Sequence, residues 1–389
     1  MSEFNHLKSH FLLNPEITFL NFGSFGATPK SVFELYQTYQ ADLERDPVQF
    51  ITVKTPQLLR QSREALAGFL HCDADDLVMV TNPSYAVNTI AKSLNLEPGD
   101  EILTTNLEYG ACDRAWDYVC ASRGAYYVQQ PITLPLTSDE KFMEELFEGV
   151  SNQTKLIFIS HITSATALIL PVEKVIKKAN SYGIPVFIDG AHVPGHIHLD
   201  LQQLDPDFYT GACHKWLMTP KGSSFMYVNK AWQEQIFPLA VSWGYKAVKP
   251  SHSQFIDWHE MNGTNDYAAR LCIPEALKFR KDYNWDDVAQ QCRTIVQSNA
   301  EIFARLLHSH TLAPVTDHYI GQMLSVPIQT NDPDKLYRSF VDEYKIEIPV
   351  MHQNGINYLR YSINGFNSQA DLDILFEVIE QIIKKGLIQ

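Results

Sequence analysis

No stretch of about 18 apolar residues occurs in this 389-residue chain, so no membrane span is expected. The opening segment, MSEFNHLKSHFLLNPEITFLNFG, lacks a basic run followed by an apolar one, so a secretory signal is not expected either. Cysteine is scarce and scattered: six residues, at 72, 112, 120, 213, 272 and 292, with no CxxC pair. That spacing argues against a disulfide scaffold and a structural zinc site. It suits a reducing compartment, which makes the cytoplasm the expected location. Long basic runs are missing and the net charge is -14. Nucleic acid, which needs clustered Lys and Arg, is therefore not an expected partner.

What is present is a regular alternation. Short apolar runs at 77–80, 101–105, 126–130, 155–160 and 184–189 read as buried strands. Helical patterns lie between them, over Tyr85–Leu94, Cys112–Arg123, Asp139–Val150 and Val172–Tyr182. Strands alternating with helices predict an α/β fold with a parallel sheet wound on both faces. Beyond about residue 263 the pattern changes to two long helical stretches and then a mixed region, as in a smaller α+β domain. The length exceeds what one core usually fills. The expected division is an N-terminal arm over 1–20, a large domain over 21–262 and a small domain over 263–389.

In wound parallel sheets, ligands bind beyond the C-terminal ends of the strands. Polar groups recur at those positions: Ser84 and Tyr85 opening a helix, Glu108 and Tyr109, His161 and Ser164, Asp189 and His192, and finally His214 and Lys215. Together they suit pyridoxal 5′-phosphate, which needs an amine for a Schiff base, a carboxylate for its ring nitrogen, an aromatic face and a phosphate cup. Lys215 supplies the amine and Asp189 the carboxylate. Tyr109 could stack on the ring, and His214 could reach the phosphate. The helix opening near Ser84 offers free N–H groups and a positive dipole end. Each residue also has a plainer reading. His161 and His192 could be buried structural histidines, Ser164 a turn former, Tyr109 ordinary packing and Thr264 a helix cap. His196 and His198 with Asp200 show no third ligand in sequence, so no metal is expected.

The segments FIDGAHVPGHIHLDL and TGACHKWL resemble the core signature of the class V aminotransferase family. LNFGSFGATPKSV, LERDPVQF, EYGA, SHITSATALILPV, NGTND and LRYSINGFNSQADLD fall in that family's order, and resemble its isopenicillin N epimerase-like branch. The resemblance implies the fold type I architecture of pyridoxal-phosphate transferases: a mainly parallel seven-stranded sheet between helices, plus a small C-terminal domain. It implies that Lys215 carries the cofactor and moves the substrate proton, with Asp189 on the pyridine nitrogen and His192 near the phenolic oxygen. Tyr109 takes the stacking position, and Ser84 and Tyr85 the phosphate loop. His161 and Ser164 join the cofactor set. Thr264 would reach the phosphate of a neighbouring subunit, which implies a homodimer with shared sites. Arg360 would grip the substrate α-carboxylate, which a planar fork binds in two bonds. Asn21 and Phe22 would line the substrate entrance.

Two departures from the pattern matter. The branch reads GTRD where this chain reads GTND, so Asn265 replaces an arginine. No cysteine follows Cys292, which argues against a desulfurase with a mobile thiol. The expected activity is a reaction at the α-carbon of a small amino acid, epimerase-like. The alternatives are a β-eliminating C–S lyase or an aminotransferase, and, at a distance, a cofactor-binding protein without turnover.

Overall fold

A computed structural model describes residues 7–389. Residues 1–6 of the expected arm lie outside the described residues. The first strand, β1 (Thr18–Phe19), is short. Seven strands then build the central sheet: β2 (Leu77–Val80), β3 (Glu101–Thr105), β4 (Tyr126–Gln130), β5 (Thr154–Ser160), β6 (Val186–Asp189), β7 (Phe208–Ala212) and β8 (Ser224–Val228). Four more follow in the C-terminal part: β9 (Met323–Ile328), β10 (Ile346–Glu347), β11 (Val350–Gln353) and β12 (Ile356–Ser362).

The central order is β2-β8-β7-β6-β5-β3-β4, parallel except for β8, which runs antiparallel to both neighbours. Its strands are nearly continuous apolar runs because helices cover both faces. Side chains alternate between two cores. Leu156 and Phe158 of β5 pack with Val87, Ile90 and Trp116 on one face. Ile157 and Ile159 pack with Leu66, Val175 and Ile176 on the other. Each fully buried side chain of this size contributes roughly 1.5–3 kcal/mol relative to exposure.

Local signals set the helices that matter to the site. Asn82 caps the Pro83–Ser93 helix, its Oδ1 accepting from the Tyr85 N–H at 2.9 Å, with proline at the first helical position. The Gly110–Arg123 helix ends on Gly124 in the left-handed conformation, φ 69°. The first of the two long helical stretches expected beyond residue 263 is broken at Cys272, where Pro274 opens a new helix, Ile273–Asp282.

The C-terminal small domain carries an antiparallel sheet in the order β11-β12-β9, with the Gln369–Lys384 helix started by a Ser368/Asp371 capping box. Chain residues near the N-terminus are stitched to it: β1 pairs in parallel with β10, and the Ser362 N–H donates to the Leu20 carbonyl at 2.8 Å. From there residues 22–26 run back over the loop after β7. Gly26, at φ 64°, meets that loop so closely that a Cβ there would lie 2.3 Å from the His214 carbonyl oxygen and 2.9 Å from the Lys215 Cα. Among the described residues, no helix is long and apolar enough to cross a membrane.

Candidate active site

The parallel strands β3, β5, β6 and β7 all end at one edge of the sheet. There, Lys215 sits in the turn that follows β7, with the Met218 N–H bonded to its carbonyl. Its amine lies 3.1 Å from His192 Nε2. Burial, and then the Arg360 charge, lower its pKa from 10.5 to about 8, with Asp189 pulling the other way. An amine held there is a far better nucleophile near neutral pH than an ordinary lysine.

His192 is set by its neighbour. The Trp216 indole N–H donates to His192 Nδ1 at 3.4 Å. The neutral imidazole then carries its hydrogen on Nε2, facing the Lys215 amine. Burial and the Lys215 charge hold His192 well below its usual pKa, so this ring stays neutral. That hydrogen can pair with the amine only in its free-base form, a minority at neutral pH that a pKa of about 8 makes far larger than for an ordinary lysine.

Asp189 closes β6 and is buried. Oδ1 accepts from the Ala191 N–H at 2.9 Å, and Oδ2 from the Cys112 thiol at 3.4 Å. Burial raises its pKa, opposed by the Ala191 bond and the Lys215 charge. A carboxylate so placed gains from a cationic partner.

Arg360, in the middle of β12, is 2% exposed. Its Nη1 donates to the Ser164 carbonyl and its Nη2 to Ser24 Oγ at 3.1 Å. Burial alone brings its pKa to about 10, with no carboxylate opposing it. A buried cation without an anion is costly unless an anion arrives. Ser24 is held in turn: its Oγ donates to Asn21 Oδ1 at 2.5 Å, and Asn21 Nδ2 donates to Glu347 Oε1 at 3.0 Å. Asn21 thus reaches the site through Ser24. Phe22 lies beneath the site rather than on a rim, fully buried with its ring 5.0 Å from Trp216 and 5.7 Å from Phe366.

Tyr109 and Ser164 share a cleft of about 630 Å³ with Glu108 and the hairpin residues Met351–Asn354. Tyr109 is half exposed. Glu108, next to it, is buried and takes hydrogen bonds from Thr105 Oγ1, the Ser160 N–H and Ser160 Oγ. Its pKa is pushed up to about 8 by burial. It ties the end of β3 to the end of β5 and so fixes where Tyr109 stands. The hairpin closes this side, Gln353 Nε2 donating to the Glu108 carbonyl at 2.8 Å.

At the other end, Pro83 has no N–H and Asn82 takes that of Tyr85, which leaves the Ser84 N–H as a free donor of the first turn. His214 Nδ1 lies 3.0 Å from the Ser223 carbonyl, and burial lowers its pKa to about 4. As a neutral ring its Nε2 has no hydrogen to give, so an anion there must bring the proton. His161 turns elsewhere: Nδ1 lies 3.0 Å from the Tyr209 hydroxyl, in a separate groove with Asp139, His198 and His318. Thr264 is exposed in a third groove with Thr55, Arg60, Trp243 and Met261, which Lys215 does not line. His196 and His198 part company. His196 stacks on Trp216 at 4.0 Å and accepts the Gln322 N–H at 2.6 Å, whereas His198 joins His71 and Asp200 within 4.8 Å.

Comparison with known proteins bears on this arrangement. Residues 27–375 match the model of the family described as Aminotransferase class-V. The chain belongs to that family. Isopenicillin N epimerase of Streptomyces clavuligerus is 30% identical over 98% of this chain and 99% of its own length. Hercynylcysteine sulfoxide lyase of Schizosaccharomyces pombe is 26% identical over 97% of both. The fold matches a solved structure of the Escherichia coli cysteine desulfurase CsdA, with TM-score 0.82, 20% identity and 99% of both chains covered. Class V aminotransferases are pyridoxal-phosphate enzymes, and the site fits that group. It offers a lysine amine of lowered pKa, a buried carboxylate, and a buried guanidinium with no carboxylate opposing it among the described residues. The sequence reading missed Ser24, Cys112 and Trp216. Only Trp216, adjacent to Lys215, carried a signal in the sequence.

Proposed function

We propose that the chain removes the α-proton of a small amino acid, with Lys215 as the base, in a site built on pyridoxal phosphate. Bound pyridoxal phosphate supplies an aldehyde for the lysine amine and a cationic ring that draws electrons from the substrate α-carbon. Asp189 would hold the ring nitrogen protonated, its two existing bonds fixing the carboxylate. Arg360 would take the substrate carboxylate, oriented by Ser164 and Ser24. His192, held by Trp216, would favour the free-base form of Lys215, which accepts and returns a proton at Nζ. Tyr109 would cover the ring, and Ser84, Tyr85 and His214 would face the phosphate. The observation that carries this reading is the buried Arg360 guanidinium, unpaired with any carboxylate, beside the depressed Lys215 amine.

A homodimer is the matching assembly. Trp243 and Val248 are 79% and 88% exposed on the segment beside Thr264, and so much exposed apolar surface favours a partner. The six cysteines are all free, in keeping with a cytoplasmic location.

Epimerisation is the leading outcome after proton removal, because the isopenicillin N epimerase relatives align over nearly the whole chain. C–S lysis is the second reading, supported by the sulfoxide lyase relative and by the need for only one base. The cofactor-loaded protein should exchange the α-hydrogen of one amino acid in a panel for deuterium from solvent. The enantiomer among the products indicates epimerisation, pyruvate with ammonia indicates elimination, and dependence on a keto acid indicates transamination. Lys215→Ala should abolish the exchange. A loaded wild type that exchanges no amino acid would remove the proposal.

A further inference from the structure

Arg270 lies in the short Ala268–Leu271 helix and is 2% exposed, yet its Nε and Nη1 have no hydrogen-bond partner. The Glu260 and Asp266 charges favour the guanidinium from a distance, but no carboxylate among the described residues hydrogen-bonds to it: the Glu260 oxygens accept from the Arg63 guanidinium and the Met79 N–H. The face of the Tyr267 ring lies 5.3 Å from the guanidinium carbon and supplies no acceptor for the idle donors. A buried guanidinium with two idle donors is unfavourable unless something anionic completes it.

Its position says which anion. A Cβ at Gly222 would lie 3.8 Å from the Ala269 Cβ, so this helix touches the start of β8. There, Ser224 stands opposite Val80 of β2, two residues before the Asn82 cap. Arg270 is also within electrostatic reach of Tyr85, in the first turn of the Pro83–Ser93 helix. That turn presents the free Ser84 N–H and the positive end of an eleven-residue helix. It is also short of donors, since Pro83 has none and Asn82 occupies the Tyr85 N–H.

We propose that Arg270 binds the phosphate monoester of the cofactor at the start of the Pro83–Ser93 helix. It supplies there the charge-assisted hydrogen bonds that Pro83 and Asn82 withhold. The inference rests on the reading of the site as one for pyridoxal phosphate.

The test compares two aldehydes that differ only in the phosphate. Full-length protein stripped of cofactor is titrated with pyridoxal 5′-phosphate and with pyridoxal, following the visible absorption band. Wild type should prefer the phosphorylated aldehyde strongly. Arg270→Met should lose about 10- to 100-fold of that preference, through weaker binding of pyridoxal 5′-phosphate alone. Arg270→Lys should recover part of it. Inorganic phosphate should raise the melting temperature of the stripped wild type and not of Arg270→Met. An unchanged preference, or equal weakening for both aldehydes, overturns the role of Arg270. Should Arg270→Met fail to fold, Arg270→Gln carries the same comparison, with the same two outcomes. A wild type that binds neither aldehyde defeats the cofactor reading itself and is thereby distinguished.

Discussion

Replacing Lys215 by methionine should make the cofactor-free protein more stable at neutral pH. The folded chain holds this amine at a pKa of about 8, through burial first and the Arg360 charge second. In the unfolded chain it ionises at its ordinary value of about 10.5. Between those two values the unfolded state keeps a proton that the folded state has released, so stability increases as pH rises through that window. The penalty is therefore complete below about pH 8 and gone above about pH 10.5. At about 1.4 kcal/mol per pH unit it amounts to about 3 kcal/mol at most. That is a large share of the ~5–15 kcal/mol typical of a folded domain. Methionine keeps the apolar stem and brings no charge, and among the described residues the bond lost is the one to His192. Urea titrations of wild type and Lys215→Met, both stripped of cofactor, at about pH 7 and about pH 9.5 decide the matter. The variant should be the more stable at neutral pH, by up to about 3 kcal/mol, with the gap shrinking at the higher pH. A gap that ignores pH, or a wild type that is the more stable at neutral pH, refutes the idea that burial disfavours the ammonium form of this lysine.

Arg360→Ala should raise KM for the responding amino acid by the equivalent of about 2–4 kcal/mol, with a smaller effect on kcat. Steady-state kinetics check this, and an unchanged KM removes Arg360 from the substrate. Gly26→Ala should displace the Lys215 turn, because the new Cβ would lie 2.3 Å from the His214 carbonyl oxygen at φ 64°. The backbone conformation alone costs about 1–2 kcal/mol for any other L residue. The visible band of bound cofactor should weaken or shift in that variant, and an unaltered spectrum would show that the segment moves freely.

The strands and the edge that carries the site were legible because both faces of the sheet are buried. Runs such as LVMV and KLIFIS then stay apolar throughout, and the polar residues that end them stand out. β8 was not read: SFMYV follows the Lys215 loop without a helix between, so the alternation that flagged the other strands was absent. The helices Lys30–Arg45 and Thr55–Leu70 also went unread, lying before the alternation begins. Asp189, His192 and Lys215 were singled out by their place after strands, and Arg360 by the resemblance that LRYSI carries; the structure brings the four to one edge of the sheet. The supports of Arg360 were missed, because Ser24 meets it only through pairings more than 300 residues apart in sequence. Two histidines at i, i+2, as His196 and His198 are, would share one face of a strand. That stretch is instead a turn, with the His196 and Ile197 N–H groups both bonded to the Val193 carbonyl.

The pairing of β1 with β10 and of Leu20 with Ser362 fixes an order of events during synthesis. The first-made segment can meet the Lys215 loop through Phe22 and Gly26, but β1 and Ser24 lack their C-terminal partners until β10 and β12 have left the ribosome. The central sheet and Lys215 are complete more than a hundred residues earlier. A nascent chain therefore carries Lys215 before it carries Arg360, and with it the second cause of the amine's lowered pKa.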